Sequence, residues 1–165
     1  MANSMDPKSQ KEYDALMIRK QNTEDHVVDV LHQRAISERW DVEKHVGSDA
    51  GCDLRLEKDG RVVFIEAKGE RENQKPATQR VQLAIGQIIM RMEKDNPNRI
   101  NSFCMAFPDT DNFRKIVDKI PPSPRNTLRL SVFLVDCPKN SIKLLRSGSS
   151  KYTKLNNFEE LFYGV

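Results

Sequence analysis

The dipeptide Asp59-Gly60 constrains this chain more than any other feature, because it links two alternating apolar runs, Cys52–Glu57 and Val62–Ala67, through a two-residue turn. Such a turn fixes register. It pairs Lys58 with Arg61, Leu56 with Val63, Leu54 with Ile65 and, further out, Asp53 with Glu66. Side chains alternate along a strand, so Leu54, Leu56, Val63, Ile65 and Ala67 share one apolar face, while Asp53, Glu66 and Lys68 share the other. One face is expected to pack and the other to be available for chemistry.

Two carboxylates directly opposed across a hairpin stand about 5 Å apart at their β-carbons and repel unless a cation lies between them. Lys68 offsets part of that repulsion. Paired carboxylates beside an open position are also how proteins hold Mg2+, a hard ion that prefers oxygen ligands and keeps several waters. Such an ion polarises a phosphate oxygen and lowers the pKa of water, and Lys68, on the same face, is placed to orient that water or stabilise developing negative charge. The expected catalytic group is Asp53, Glu66 and Lys68. Glu24 joins it as a candidate further ligand, direct or through water, because the helix that carries it should lie across the hairpin. Helix-dipole compensation competes evenly for Glu24, and Asp25 is its close rival.

The rest of the chain supplies an α/β frame. Asp6-Pro7 opens a polar helix or arm in which Tyr13, Leu16 and Met17 form one thin apolar stripe. Thr23 caps a second helix running to about Arg39, with Val27, Val30, Leu31 and Ala35 at helical spacing. Trp40–Val46 reads as the first of three meander strands. A long helix from Pro76 to Lys94 carries Val81, Ala84, Ile85, Ile88, Ile89 and Met92 on one face. Ile100–Phe107 reads as a strand, Asp111–Ile120 as a short helix that Pro121-Pro122-Ser123-Pro124 ends, and Leu128–Val135 as another strand. Ser141–Leu145 would add an edge strand, Ser147-Gly148-Ser149-Ser150 a flexible break, and Phe158–Tyr163 a terminal helix. Residues 1–22 are therefore expected to form an arm, 23–147 the domain, and 148–165 a tail docking on the core or a partner.

Composition narrows the function class. A length of 165 residues suits one compact domain. No stretch approaches the roughly 18 apolar residues of a membrane span and the N-terminus lacks a signal-like apolar run, so a cytoplasmic protein with no membrane partner is expected. Cys52, Cys104 and Cys137 are odd in number and without a C-x-x-C pair, which argues against a disulfide framework or a zinc site. His26, His32 and His45 have no metal-like spacing. A net charge of +3 with 31% charged residues permits nucleic-acid binding. Arg71, Lys75 and Arg80, following the catalytic strand, are the candidate phosphate contacts.

Gly51-Cys52-Asp53 followed by Phe64-Ile65-Glu66-Ala67-Lys68-Gly69 resembles the PD-(D/E)XK nuclease superfamily, and the elements from about Thr23 to Val135 occur in that family's order. The resemblance implies a restriction-endonuclease-like αβββαβ core with a mixed central sheet. It implies that Asp53, Glu66 and the Ala67 carbonyl hold a divalent metal, Mg2+ with Mn2+ able to substitute, that Lys68 assists the water, and that Glu24 completes the acidic cluster. It also implies cleavage to a 5′-phosphate and a 3′-hydroxyl. Cys52 departs from the pattern, standing where proline often precedes the aspartate. Ala84-Ile85-Gly86-Gln87 is similar to an Ala-x-Gly-Gln element of some stand-alone members, which would bring Gln87 towards the site or the nucleic-acid backbone.

The expected activity is a Mg2+-dependent endodeoxyribonuclease, with DNA as partner. The alternative is a non-catalytic nucleic-acid-binding or nuclease-partner protein that keeps the fold, and a third reading makes the acidic pair structural in a plain α/β scaffold. Leu83 and Met90 lie opposite the main stripe of the long helix, with Gly86 nearby. Either a homodimer contact or packing beneath Phe158, Leu161, Phe162 and Tyr163 would explain them.

Overall fold

A computed structural model describes residues 6–45, 51–70, 76–92 and 98–163. In chain order the elements are α1 (Pro7–Gln21), α2 (Glu24–Ser37), β1 (Asp41–Lys44), β2 (Leu54–Lys58), β3 (Arg61–Ala67), α3 (Ala77–Met90), β4 (Ile100–Pro108), α4 (Asp111–Val117), α5 (Pro122–Thr127), β5 (Leu130–Asp136), β6 (Ser141–Leu145) and β7 (Tyr152–Lys154), closing with a 3-10 turn over Phe158–Phe162. The seven strands form one mixed sheet in sequence order. β3, β4 and β5 run parallel and every other neighbouring pair is antiparallel.

The hairpin has the register that its turn dictates, with Leu54 opposite Ile65, Leu56 opposite Val63 and Lys58 opposite Arg61. Asp59 takes φ +50° and Gly60 φ +73°, the paired left-handed conformations of a tight hairpin turn. Leu54, Leu56, Val63, Ile65 and Ala67 pack together against Val27, Val28, Leu31 and Ala35 of α2, with Trp40 and Phe158 closing the cluster. The opposite face is not left open, as alternation alone had suggested. It carries Val62, Phe64, Phe103, Met105 and Val132 beneath Val81, Ala84 and Ile88 of α3 and Phe113 and Val117 of α4. Central parallel strands bury both faces under their crossover helices, so Glu66 finds room only where its strand ends.

Several other expectations change. Ile89 faces solvent and not the core. α4 stops at Val117 and not at Ile120, and the proline run opens α5 instead, because proline suits the first turn of a helix, where its missing N–H costs nothing. Leu130, not Leu128, begins the strand, since Arg129 turns the chain at φ +50°. Ser141–Leu145 is internal, with β7 completing the edge. The Ser147–Ser150 segment is tied down, as Arg125 donates from Nη1 to the Arg146 carbonyl at 2.7 Å and from Nη2 to the Ser149 carbonyl. The C-terminal turn packs Phe158 and Leu161 on the α2 side, far from α3, which removes it as the cover for Leu83 and Met90.

Candidate active site

Asp53, Glu66, Ala67, Lys68 and Glu24 meet at the carboxyl end of β3, where the sheet changes from antiparallel to parallel pairing. The β2–β3 ladder stops at Leu54 and Ile65, and the Asp53 carboxylate takes over beyond it, with Oδ2 accepting from the Ala67 N–H at 2.6 Å. β3 continues pairing with β4 for one residue more, Lys68 N–H donating to the Ala106 carbonyl at 2.9 Å. That bond holds the backbone straight through the site, so the side chains of Glu66 and Lys68 emerge on one side.

Glu24 arrives from α2. Thr23 caps the helix by accepting from the His26 N–H, which places Glu24 at the first helical position. The junction is close: a Cβ added at Gly69 would lie 2.0 Å from the Glu24 nitrogen and 2.2 Å from the Thr23 carbonyl carbon. The Glu70 N–H donates to the Asn22 carbonyl at 2.7 Å, pinning the same contact. Only a residue without a side chain lets α2 approach the end of β3 this far.

The Lys68 ammonium is the centre of the group. Nζ lies 2.7 Å from the Ala67 carbonyl oxygen, 2.9 Å from Glu66 Oε1, 3.7 Å from Glu24 Oε1 and 3.9 Å from Asp53 Oδ2. Glu66 and Lys68 are 2% and 7% exposed. Burial pushes the Glu66 carboxyl above its ordinary range and the neighbouring Asp53 adds to that, while Lys68, and Arg91 at the C-terminal end of α3, oppose it. Anionic Glu66 therefore calls for a cation at this point.

Three carboxylates and a backbone carbonyl form the hard oxygen set that Mg2+ prefers, so the residues fit the expected ion in kind. Among the described residues, no three acidic, histidine or cysteine side chains stand close enough together to form a ready-made metal cage. The carboxylates gather around the ammonium instead.

The phosphate-contact candidates fare differently. Arg80 is buried and turns inward, Nη2 lying 3.5 Å from Glu24 Oε2, so it supports the acidic group from behind. Gln87 is half-buried, its Oε1 shielded and without a hydrogen-bond partner. Arg71 and Lys75 lie outside the described residues. Gly69 is a site residue to which pattern reasoning assigned no role. His26 bonds to its own cap and His45 lies 3.3 Å from Glu43, so neither belongs to the cluster.

A solved structure of similar course is an XisH family protein from Nostoc punctiforme. The match has a TM-score of 0.45 and 13% identity, covering 71% of this chain and 95% of that one. It is distant on both measures. No protein-family model and no curated protein matches the sequence. Among the described residues no helix is long and apolar enough to cross a membrane.

Proposed function

We propose that this chain is a metal-dependent nuclease on the PD-(D/E)XK, restriction-endonuclease-like plan, hydrolysing phosphodiester bonds in DNA to leave a 5′-phosphate and a 3′-hydroxyl. The observation that carries this reading is the convergence of Asp53, Glu66, the Ala67 carbonyl and Glu24 within 3.9 Å of one point, the Lys68 ammonium, at the carboxyl end of β3. In open α/β sheets ligands are met outside the carboxyl ends of the parallel strands. Asp53, Glu66 and the Ala67 carbonyl would hold Mg2+ or Mn2+, with Glu24 binding directly or through water.

When bound, the ion would polarise a phosphate oxygen and make water more acidic. Asp53 is held by the Ala67 N–H, which fixes one oxygen and leaves the other for binding. Lys68 supplies positive charge beside the phosphoryl oxygens as the attacking water bonds to phosphorus and the bond to the 3′ oxygen breaks, with a proton passing to that leaving oxygen. Arg80 keeps Glu24 in place.

The rival, a nucleic-acid-binding or nuclease-partner protein on the same fold, draws support from one feature: Lys68 already satisfies the buried carboxylates as an internal counter-ion. Cleavage of plasmid, branched and single-stranded DNA separates the two. Cutting is expected with Mg2+ or Mn2+, to stop with chelator, to be abolished in Asp53→Ala, and to fall about 100- to 1000-fold in Lys68→Met. Folded wild-type protein that binds DNA but cuts none of the three substrates would establish the rival.

A further inference from the structure

At the amino ends of β4 and β5 the molecule holds a cavity of about 300 Å³. Ile100, which lines it, is level with Arg61 at the start of β3. Lys68 lies seven residues further along that strand direction, roughly 20 Å away at the rise of a β-strand. The cavity is therefore separate from the acidic group. Its lining is of two kinds: Arg129, Arg146 and Asn101 are polar, while Ile100, Phe162 and Tyr163 are apolar or aromatic. No acidic residue lines it.

That absence matters because other cations in the fold meet carboxylates: Arg114 and Lys143 meet Asp109, and Lys58 meets Glu159. Arg146 instead donates from Nη1 to the Tyr163 carbonyl at 3.0 Å, and among the described residues nothing bonds to the Arg129 guanidinium. Two guanidiniums without a counter-charge thus border one cavity. Arg129 also stands at φ +50°, a conformation that favours glycine over any residue with a Cβ. Its turn is closed by backbone alone, the Arg129 N–H donating to the Asn126 carbonyl at 3.0 Å, so the fold does not call for its side chain. Asn101 adds an unmet group: its Oδ1 is shielded from solvent and has no hydrogen-bond partner, an acceptor that a donor in the cavity would satisfy.

We propose that this cavity binds a small phosphate monoester that carries a flat ring and a hydroxyl group, the chemistry of a mononucleotide. The phosphate bears nearly two negative charges at neutral pH and matches the planar donor forks of Arg129 and Arg146. The ring lies against Phe162 and Tyr163, and a hydroxyl donates to Asn101. The volume is at the lower end of small-molecule sites, which suits one such ligand. This site stands whether or not the chain cuts DNA.

Titration calorimetry of the full chain with adenosine 5′-monophosphate is expected to show saturable one-to-one binding. Chelator is present throughout, so that no metal bridges the nucleotide to Asp53 and Glu66. Asp53→Ala should leave the affinity unchanged. Arg129→Gly should weaken it about 10- to 100-fold. Its Tm should stay close to wild type, because the relief of the left-handed backbone offsets the freedom that glycine gains in the unfolded chain. Inorganic phosphate and adenosine, titrated separately, should each bind more weakly than the nucleotide. Absence of saturable binding at millimolar nucleotide would overturn the proposal, as would an affinity indifferent to Arg129→Gly or lost in Asp53→Ala. Phosphate that binds as tightly as the nucleotide would overturn the role given to Phe162 and Tyr163.

Discussion

At Gly69, what is missing lets two elements meet. Any Cβ there would press on the backbone of Thr23 and Glu24 at 2.0 to 2.2 Å, and backbone cannot rotate aside as a flexible side chain can. Gly69→Ala is expected to lower stability by about 1 to 3 kcal/mol through overpacking, read as a lower urea midpoint at unchanged slope, and to move Glu24 away from Lys68. A midpoint equal to wild type would mean that α2 yields to the added methyl without cost. Asp53, Glu66 and Lys68 were legible in the sequence because one turn sets their register and alternation sets their face. Glu24 was legible as a first-turn residue behind a cap. Gly69 and the inward turn of Arg80 were not, since each depends on how elements distant in sequence lie against one another.

Among the elements, the hairpin, α2, α3 and β4 came out of local signals: a turn dipeptide, a cap, and apolar periodicity. β7 and α5 did not. Three residues at a sheet edge have too little pattern to register, and a proline run reads equally as a stop or a start until the following chain finds a partner. The clamp that locks β4, α4 and β6 together was also hidden. It centres on Asp109, whose nearly buried carboxylate accepts from Arg114 Nη2 at 2.6 Å and Nε at 3.1 Å and lies 2.8 Å from Lys143 Nζ. Burial pushes this carboxyl up, but Lys143 and Arg114 together outweigh that and hold it below its ordinary value. A carboxylate depressed in the folded state stabilises above its unfolded pKa of about 3.9, and the contribution fades as pH falls through the lower folded value. Asp109→Asn should therefore cost about 2 kcal/mol at neutral pH, with the gap to wild type closing as the medium is acidified below pH of about 4. Denaturation curves at both pH values check this, and a gap independent of pH would assign the loss to packing and not to charge.

At the scale of the whole molecule, the change from antiparallel to parallel pairing at β3 decides where chemistry can occur. Parallel strands buried on both faces have no free side, so polar groups collect at their carboxyl ends, where the start of α2 meets Gly69 and Glu70. That arrangement couples the site to global stability. The oxygen set at Lys68 exists only when α2, β2 and β3 are all in place, so an ion that binds there binds the folded chain alone and stabilises it by mass action. At a concentration about a hundredfold above its dissociation constant the gain is about 2.7 kcal/mol, which for a chain of this size raises Tm by about 5 to 10 °C. Mg2+ or Mn2+ should produce this shift in wild type and not in Asp53→Ala. Lys68→Met should show a shift at least as large as wild type, because the ammonium competes with the ion for the same four oxygens. A Tm that responds to the metal equally in wild type and Asp53→Ala would place the ion elsewhere, and a shift lost in Lys68→Met would make the lysine a support for the ion and not its competitor.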